Sequence, residues 1–350
     1  MELVVDGAYG EGGVQILRTA LSLSALLTRP VRIENIRAGR RVPGLQAQHL
    51  VALQALAEIT RAEVQGARVG STAVRLAPGP VRPGSYRFDV GTAGAVTLVL
   101  QAVLLPLAFG GGVSSLTVTG GTHVPWSPPV PYLEEVLLPT LAPIGLDASV
   151  TLIRWGFYPK GGGEVRVVVR PVPVRLHPLT CLRRGMLRAV RGSAVVVRLP
   201  RSIAERQQAR TEMRLRELRV PVTIELIEGK GPGPGTHLFL LAEAEGSRAG
   251  FATLGERGKS SERVADEACA ALGDYLEAEG ALDPHLADQV LPALALAEGE
   301  SAFTTTAVTP HLVTNAWAIR QFLPEIAIGI EGAAGGPGKV SVRGIGFGRA

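Results

Sequence analysis

The stretch Arg154-Trp-Gly-Phe-Tyr-Pro-Lys-Gly-Gly-Gly-Glu-Val165 decides how this chain is read. An aromatic pair, a proline and three consecutive glycines stand between two runs of strand character, Ala148 to Trp155 and Glu164 to Pro171. Glycines bunch where the backbone needs positive φ or must admit another group closely. Pro159 stiffens the entry to that turn. Taken alone, the glycines predict a tight hairpin between two core strands. The full spacing is too particular for an ordinary loop.

Outward from this hairpin the chain repeats a β-α-β-α-β-β unit. The first copy has a strand near Leu3 to Asp6, an apolar helix Val14 to Leu27, a strand Val31 to Ile36 and a helix from about Pro43 to Ile59. Strands near Ala62 to Val69 and Ala73 to Leu76 close it. The second runs from the strand Tyr86 to Val90 through the helix Ala93 to Phe109, the strand Ser115 to Thr119 and the helix Tyr132 to Ile144. It ends on the quoted hairpin. A third comprises helices at His285 to Ala297 and His311 to Leu323, with strands at Ala302 to Val308, Ile326 to Ile330 and Val340 to Ile345. Helix length, apolar period and order agree between copies although identity is slight.

The third copy is interrupted. Between Arg184 and Glu277 the periodicity reads as a compact βαββα module with a highly charged helix, Ile203 to Leu218, and the turn Gly229-Lys-Gly-Pro-Gly-Pro-Gly235. The expected organisation is therefore α+β: a large domain of residues 1–183 and 278–350, with a small α/β domain of residues 184–277 inserted.

Bulk composition excludes several classes. A chain of 350 residues that is 46% hydrophobic and 19% charged is not disordered. The longest apolar run, Ala93 to Phe109, is interrupted by Thr97, Gln101 and Pro106, so it reads as a buried helix rather than a membrane span. No secretory signal pattern opens the chain. Cys181 and Cys269 stand far apart without Cys/His ligand spacing, which points to a reducing cytoplasm rather than a disulfide or zinc scaffold. The net charge of +5 is carried mostly by arginine; lysine occurs only at Lys160, Lys230, Lys259 and Lys339. Arginine suits bidentate phosphate contacts.

Four places carry candidate chemistry. In Thr309-Pro-His-Leu-Val-Thr-Asn315, Thr309 is a good N-cap and Pro310 a good first helical residue, which puts His311 in the first turn. The positive helix end keeps such a ring neutral and favours nearby phosphate, though a capping or surface histidine has the same address. In Asp6-Gly-Ala-Tyr-Gly-Glu-Gly-Gly-Val-Gln-Ile-Leu-Arg18, glycines lead into a helix and offer free N–H groups. Glu11 there would repel a bare phosphate and fits with a divalent cation between them. Arg18 falls one turn into the helix; both residues also fit a solvated helix start. Arg37, Arg40 and Arg41 surround Gly39 between a strand and a helix that carries Gln48. They make either a phosphate clamp or an exposed basic loop. Gln101, alone in an apolar helix, bonds backbone within the core or faces a ligand.

These segments together resemble the RNA 3′-terminal phosphate cyclases. The quoted hairpin is similar to that family's Arg-x-Gly-x-x-Pro-x-Gly-Gly-Gly-x-Val. The resemblance extends to Asp-Gly-x-x-Gly-Glu-Gly-Gly-x-x-Leu-Arg, to Ile-Arg-Ala-Gly-Arg-x-x-Pro-Gly-Leu-x-x-Gln-His-Leu and to His-Leu-x-Thr-Asn. It spans essentially the whole chain and implies three repeats like the C-terminal domain of translation initiation factor 3 with a small inserted domain. It implies catalytic roles for His311 as the nucleophile that accepts AMP from ATP, and for Glu11, Arg18, Arg37, Arg40 and Gln48, but not Arg41. It also implies nucleotide contacts by Gln101 and by the run His285, Leu286, Ala287, Asp288 and Gln289.

The implied activity is ATP-dependent cyclisation of an RNA 3′-phosphate, with Mg²⁺ or Mn²⁺ held by Glu11 and RNA as partner. Two departures stand out: His285 replaces the usual tyrosine, and His123 replaces the usual Asn or Asp. Non-catalytic cyclase-like ribosome-assembly factors lack the nucleophilic histidine. Enolpyruvyl transferases, which share the architecture, use an N-terminal lysine, whereas the first lysine here is Lys160.

Overall fold

The computed structural model describes residues 2–10 and 12–348. Its described strands form four sheets of four strands each. The first is built from β1 (Leu3–Asp6), β2 (Val31–Glu34), β3 (Glu63–Gln65) and β4 (Val74–Ala77), with helices α1 (Val14–Leu26) and α2 (Ala47–Thr60). The second is built from β5 (Ser85–Asp89), β6 (Ser114–Gly120), β7 (Ala148–Arg154) and β8 (Gly163–Val169), with α3 (Val96–Ala108) and a helical stretch α4 (130–144). Both run in the order first, second, fourth, third strand, with the first pair parallel and the others antiparallel.

A third sheet has the same order and senses. Its first strand is β9 (Thr180–Cys181), a two-residue element too short for periodicity to reveal. It pairs parallel with β14 (Glu298–Thr305), which pairs with β16 (Gly338–Ile345) and through it with β15 (Ala327–Gly332). Helices α7 (Pro284–Leu296) and α8 (Pro310–Phe322) belong to this sheet.

Residues between β9 and α7 form the fourth sheet. It holds β10 (Leu187–Val197), β11 (Val222–Gly229), β12 (Gly235–Ala244) and β13 (Arg248–Leu254), with α5 (Ser202–Leu215) and α6 (Ser261–Glu277). The expected βαββα module thus gains a strand. β13 reads Arg-Ala-Gly-Phe-Ala-Thr-Leu, whose small residues hide its alternation. One sheet face packs on α5 and α6 in a core of its own, around Val190, Leu238, Leu240 and Leu272. Phe239 and Leu241, on the other face, join the core that runs through the remaining three sheets. Arg184 clasps the junction, donating to Leu276 O at 2.8 Å and Ala278 O at 2.5 Å, with its guanidinium 4.7 Å from the Tyr275 ring centre.

Local sequence explains the helix starts that matter below. α2 begins at Ala47 rather than Pro43, because Gln46 and His49 close a reciprocal cap. The backbone N–H groups of His285 and Leu286 donate to Asp283 Oδ1 at 2.9 and 3.0 Å, opening α7. Tyr132 anchors the same carboxylate at 2.8 Å. Among the described residues no helix is long and apolar enough to cross a membrane.

Candidate active site

Three helix segments meet at one buried amide. His311 is the second residue of α8, behind Pro310 and the N-cap Thr309, whose hydroxyl accepts from Leu312 N at 3.1 Å. His311 is exposed. One turn on, on the same side of the helix, Asn315 is fully buried. Its Oδ1 accepts from Thr19 Oγ1 of α1 and its Nδ2 donates to Asp288 O of α7, both at 2.6 Å. The hydrogen bonds leave little freedom for α8 to rotate, so the address of His311 is fixed.

The glycine loop before α1 docks on the same helix. The Tyr9 ring stacks on Trp317 with centres 4.0 Å apart and planes 6° from parallel. Gly10 has φ of 61°, and a Cβ there would lie 2.7 Å from Thr314 Oγ1, so only glycine fits. Glu11 lies outside the described residues.

Arg18 is half-buried and donates to Gln15 Oε1. Desolvation lowers its pKa to about 10, partly offset by the nearby Asp288 carboxylate, and leaves it cationic near neutrality. Arg37 has φ of 56° and donates to Gly44 O at 3.1 Å. Burial lowers its pKa, and Arg40 adds to this. Arg40 is exposed, with a guanidinium nitrogen 3.8 Å from where a Gly13 Cβ would lie. That places it at the α1 N-terminus. Arg41 is exposed and has no hydrogen bond among the described residues.

Two glutamines are held by bonds made across the chain. Gln48 accepts from Ala95 N at 2.8 Å, so its carbonyl holds the loop before α3 rather than joining an arginine clamp. Gln101 Nε2 donates to Gln289 Oε1 at 2.6 Å, and Gln289 Nε2 donates to His285 O at 2.8 Å. Gln101, Gln289, Arg18 and Thr19 line one small cleft of about 50 Å³ floored by Leu104, Leu105, Leu141 and Leu146. Its floor is apolar, and in this conformation it has room for water rather than for a nucleotide. Leu286 and Ala287 are fully buried core side chains, so they support α7 from inside; His285 is exposed beyond the cleft lining.

The sequence profile of the family described as "RNA 3'-terminal phosphate cyclase" matches residues 9–327. The chain belongs to this family. A curated RNA 3'-terminal phosphate cyclase from Methylococcus capsulatus is 50% identical over 327 residues, 91% of either chain. Another, from Methanopyrus kandleri, is 48% identical over 346 residues, 97% of this chain and 98% of that one. A solved enolpyruvyl transferase, NikO from Streptomyces tendae, aligns over 99% of this chain and 48% of that chain with 13% identity and a TM-score of 0.39. That likeness is too low to bear on fold or function.

Two residues of the site were missed in the sequence. Asn315 closed a quoted motif but drew no role. His49 followed Gln48 without notice, yet its Nδ1 accepts from Gln46 N at 3.0 Å and burial holds its pKa at about 3, with Arg37 and Arg18 adding to the effect. Its neutral ring packs beside those two arginines. Neither position carries a compositional signal; Asn315 acts through partners distant in sequence, and His49 through its burial beside the cap at Gln46.

The Arg154–Val165 stretch lies elsewhere, in a seam with the fourth sheet. Trp155 N donates to Lys230 O at 3.0 Å, and a Cβ on Gly235 would lie 2.1 Å from Phe157 Cγ. Gly161, with φ of 60°, presses on the loop that Gln48 holds: its Cβ would lie 2.5 Å from Thr92 O. His123 is buried in this seam, 4.6 Å from the His237 ring centre and 5.4 Å from that of Phe157. His123 Nδ1 and the Thr122 hydroxyl are 2.8 Å apart, while His123 Nε2 and both His237 ring nitrogens lack hydrogen-bond partners. Burial holds His237 at about 3 and His123 well below its ordinary value.

Proposed function

We propose that this chain uses ATP to convert an RNA 3′-terminal phosphate into a 2′,3′-cyclic phosphate through a covalent His311–AMP and an RNA(3′)pp(5′)A intermediate. The observation that carries the proposal is the placement of His311 on the first turn of α8, with Asn315 tying that helix to α1 and α7. A neutral ring nitrogen of His311 attacks the α-phosphorus of ATP, and the bond to pyrophosphate breaks. An oxygen of the RNA 3′-phosphate then attacks the same phosphorus, breaking the P–N bond and freeing His311. Last, the ribose O2′ loses its proton, attacks the 3′ phosphorus and expels AMP. That step is intramolecular, so orientation contributes much of its rate.

Arg18, Arg37 and Arg40 offset phosphate charge around the α1 N-terminus. The nucleotide is assigned to the side of Gln101 and Gln289, as the family resemblance implies, and the small cleft there must open to admit it. Among the described residues no group of three His, Cys, Asp or Glu side chains is placed to hold a metal. Glu11 is the residue that, by the family resemblance, would hold a Mg²⁺ or Mn²⁺ ion, which would supply further charge neutralisation. The three like-ordered sheets are read as repeats resembling the C-terminal domain of translation initiation factor 3, and residues 184–277 as an inserted domain with its own core. Two buried free cysteines accord with a cytoplasmic location.

Incubation with α-labelled ATP tests the proposal. Stoichiometric acid-labile label is expected, chased into RNA(3′)pp(5′)A and then AMP on adding 3′-phosphorylated RNA. An unlabelled protein would leave a non-catalytic cyclase-like factor as the better reading.

A further inference from the structure

Two aromatic rings stand in solvent beside the seam, and no part of the chemistry above uses them. Trp126 is 99% exposed and Tyr158 is 69% exposed. Scattered exposed apolar residues are ordinary, but Trp126 is held outward against backbone preference. Its φ is 64°, a region bulky residues seldom occupy. Ser127 Oγ donates to Val124 O at 3.1 Å, and Thr97 Oγ1 donates to Pro128 O at 2.8 Å, bracketing the turn. Val124 packs into a small cluster with Ala95 and Leu98. The Trp126 ring is thus turned away from the packing that holds Val124.

Tyr158 leaves the same place. His123 and Phe157 pair in parallel, with His123 N donating to Gly156 O at 3.1 Å, so both segments emerge from the seam in one direction. Around them the charge is positive. Lys160 and Lys230 are exposed and, among the described residues, neither is in an ion pair. The Lys160 side chain lies along Gly233, with its Cβ 3.0 Å from where a Gly233 Cβ would sit. Arg198, also exposed, donates to Pro232 O at 2.9 Å. Glu164, the acidic neighbour, faces Arg154 at 3.7 Å. The Trp126 loop is anchored on the start of α3, where Gln48 holds Ala95 N, and Gln101 is one turn farther along that helix.

We propose that Trp126 and Tyr158, with Lys160 and Lys230, form a platform for the single-stranded RNA that leads to the reacting 3′ end. Bases stack on the rings and phosphates meet the lysines, the combination that single-strand binders use. A protein partner fits less well, because among the described residues Trp126 and Tyr158 make no ring contact with one another and Tyr158 is followed by exposed Pro159 and Lys160 rather than by apolar residues. The inference rests on the proposed RNA substrate and names where that substrate lies.

The test measures the affinity of the full-length protein for a labelled, 3′-phosphorylated single-stranded decanucleotide, alongside self-adenylylation and sedimentation. Trp126→Ala and Tyr158→Ala should each weaken RNA binding about five- to tenfold. Trp126→Phe should keep most of the affinity, and the stoichiometry of adenylylation should stay as in the wild type. A 3′-phosphorylated dinucleotide should lose less than the decanucleotide. Unchanged RNA affinity in the double alanine variant, with adenylylation intact, would overturn the platform, as would a variant that alters sedimented mass and not RNA binding. A wild-type protein that binds the decanucleotide through these residues but takes no label would sink the cyclase reading while leaving the platform standing.

Discussion

The Arg154–Val165 seam and the His311 site use sequence in opposite ways. In the seam the constraint is close approach: Gly161 against Thr92, Gly235 against Phe157, Trp155 against Lys230. In the candidate site a handful of side chains are set on α1, α2, α3, α7 and α8 and on the loop that carries Arg37 and Arg40. Dense glycine and proline mark where backbones touch, and so advertise the fold. Chemistry is written sparsely, as one residue at a helix start and one amide a turn behind it. The seam still serves the site, because Gly161 presses on the loop that Gln48 holds.

This contrast makes separable predictions. Arg37→Ala and Arg40→Ala should each cost roughly 1.5–3 kcal/mol in phosphate handling, for a lost charge-assisted contact. Both should melt near the wild type, since Arg40 is exposed and Arg37 holds only one carbonyl, that of Gly44. Labelling kinetics equal to the wild type in both variants would remove the arginines from the site. Gly235→Ala should do the reverse. Overpacking against Phe157 should cost about 1–3 kcal/mol of stability, while labelling per folded molecule stays near normal. A variant that melts normally but labels poorly would erase the distinction between the two regions.

Acid should strike the seam. His237 is held at about 3 by burial, below the ordinary histidine value near 6.5, so the unfolded chain takes up its proton first. Its stabilising effect is complete above about pH 6.5 and is lost as the pH falls toward 3. The slope is about 1.4 kcal/mol per pH unit for each such ring. His123 and His49, also shifted down, contribute in the same sense. Chemical denaturation at pH 7 and pH 5 should show the loss, and His237→Leu should reduce its slope. An unaltered slope in that variant would mean that His237 titrates normally in the folded protein.

The gentlest change concerns His285. His285→Tyr should tighten apparent ATP affinity a few-fold, a fraction of the roughly 1–3 kcal/mol of a full base–aromatic stack. The His285 backbone N–H caps α7 on Asp283, and the exchange leaves that bond in place. Weaker ATP binding with a lower melting temperature would assign the side chain a structural role.

Much of the scaffold was legible because buried helices such as Val96–Ala108 and alternating strands such as Gly163–Val169 declare their periods. β9 was not, because two residues carry no period, and β13 was not, because its small side chains blur alternation. Of the site, residues inside local motifs were legible: His311 behind Thr309-Pro310, Arg18 behind its glycines, Arg37 and Arg40 about Gly39. Contacts made across the chain were hidden. No local pattern announces that Asn315 meets Thr19 and Asp288, that Gln101 meets Gln289, or that Tyr132 anchors the cap of α7.

The most direct test maps the label itself. After incubation with α-labelled ATP, peptide analysis should find AMP on His311 alone, near one per chain. His311→Asn should lose labelling by about 10³-fold or more, with the melting temperature retained. AMP on a lysine, or full labelling of the His311→Asn protein, would contradict the claim that the first turn of α8 carries the nucleophile.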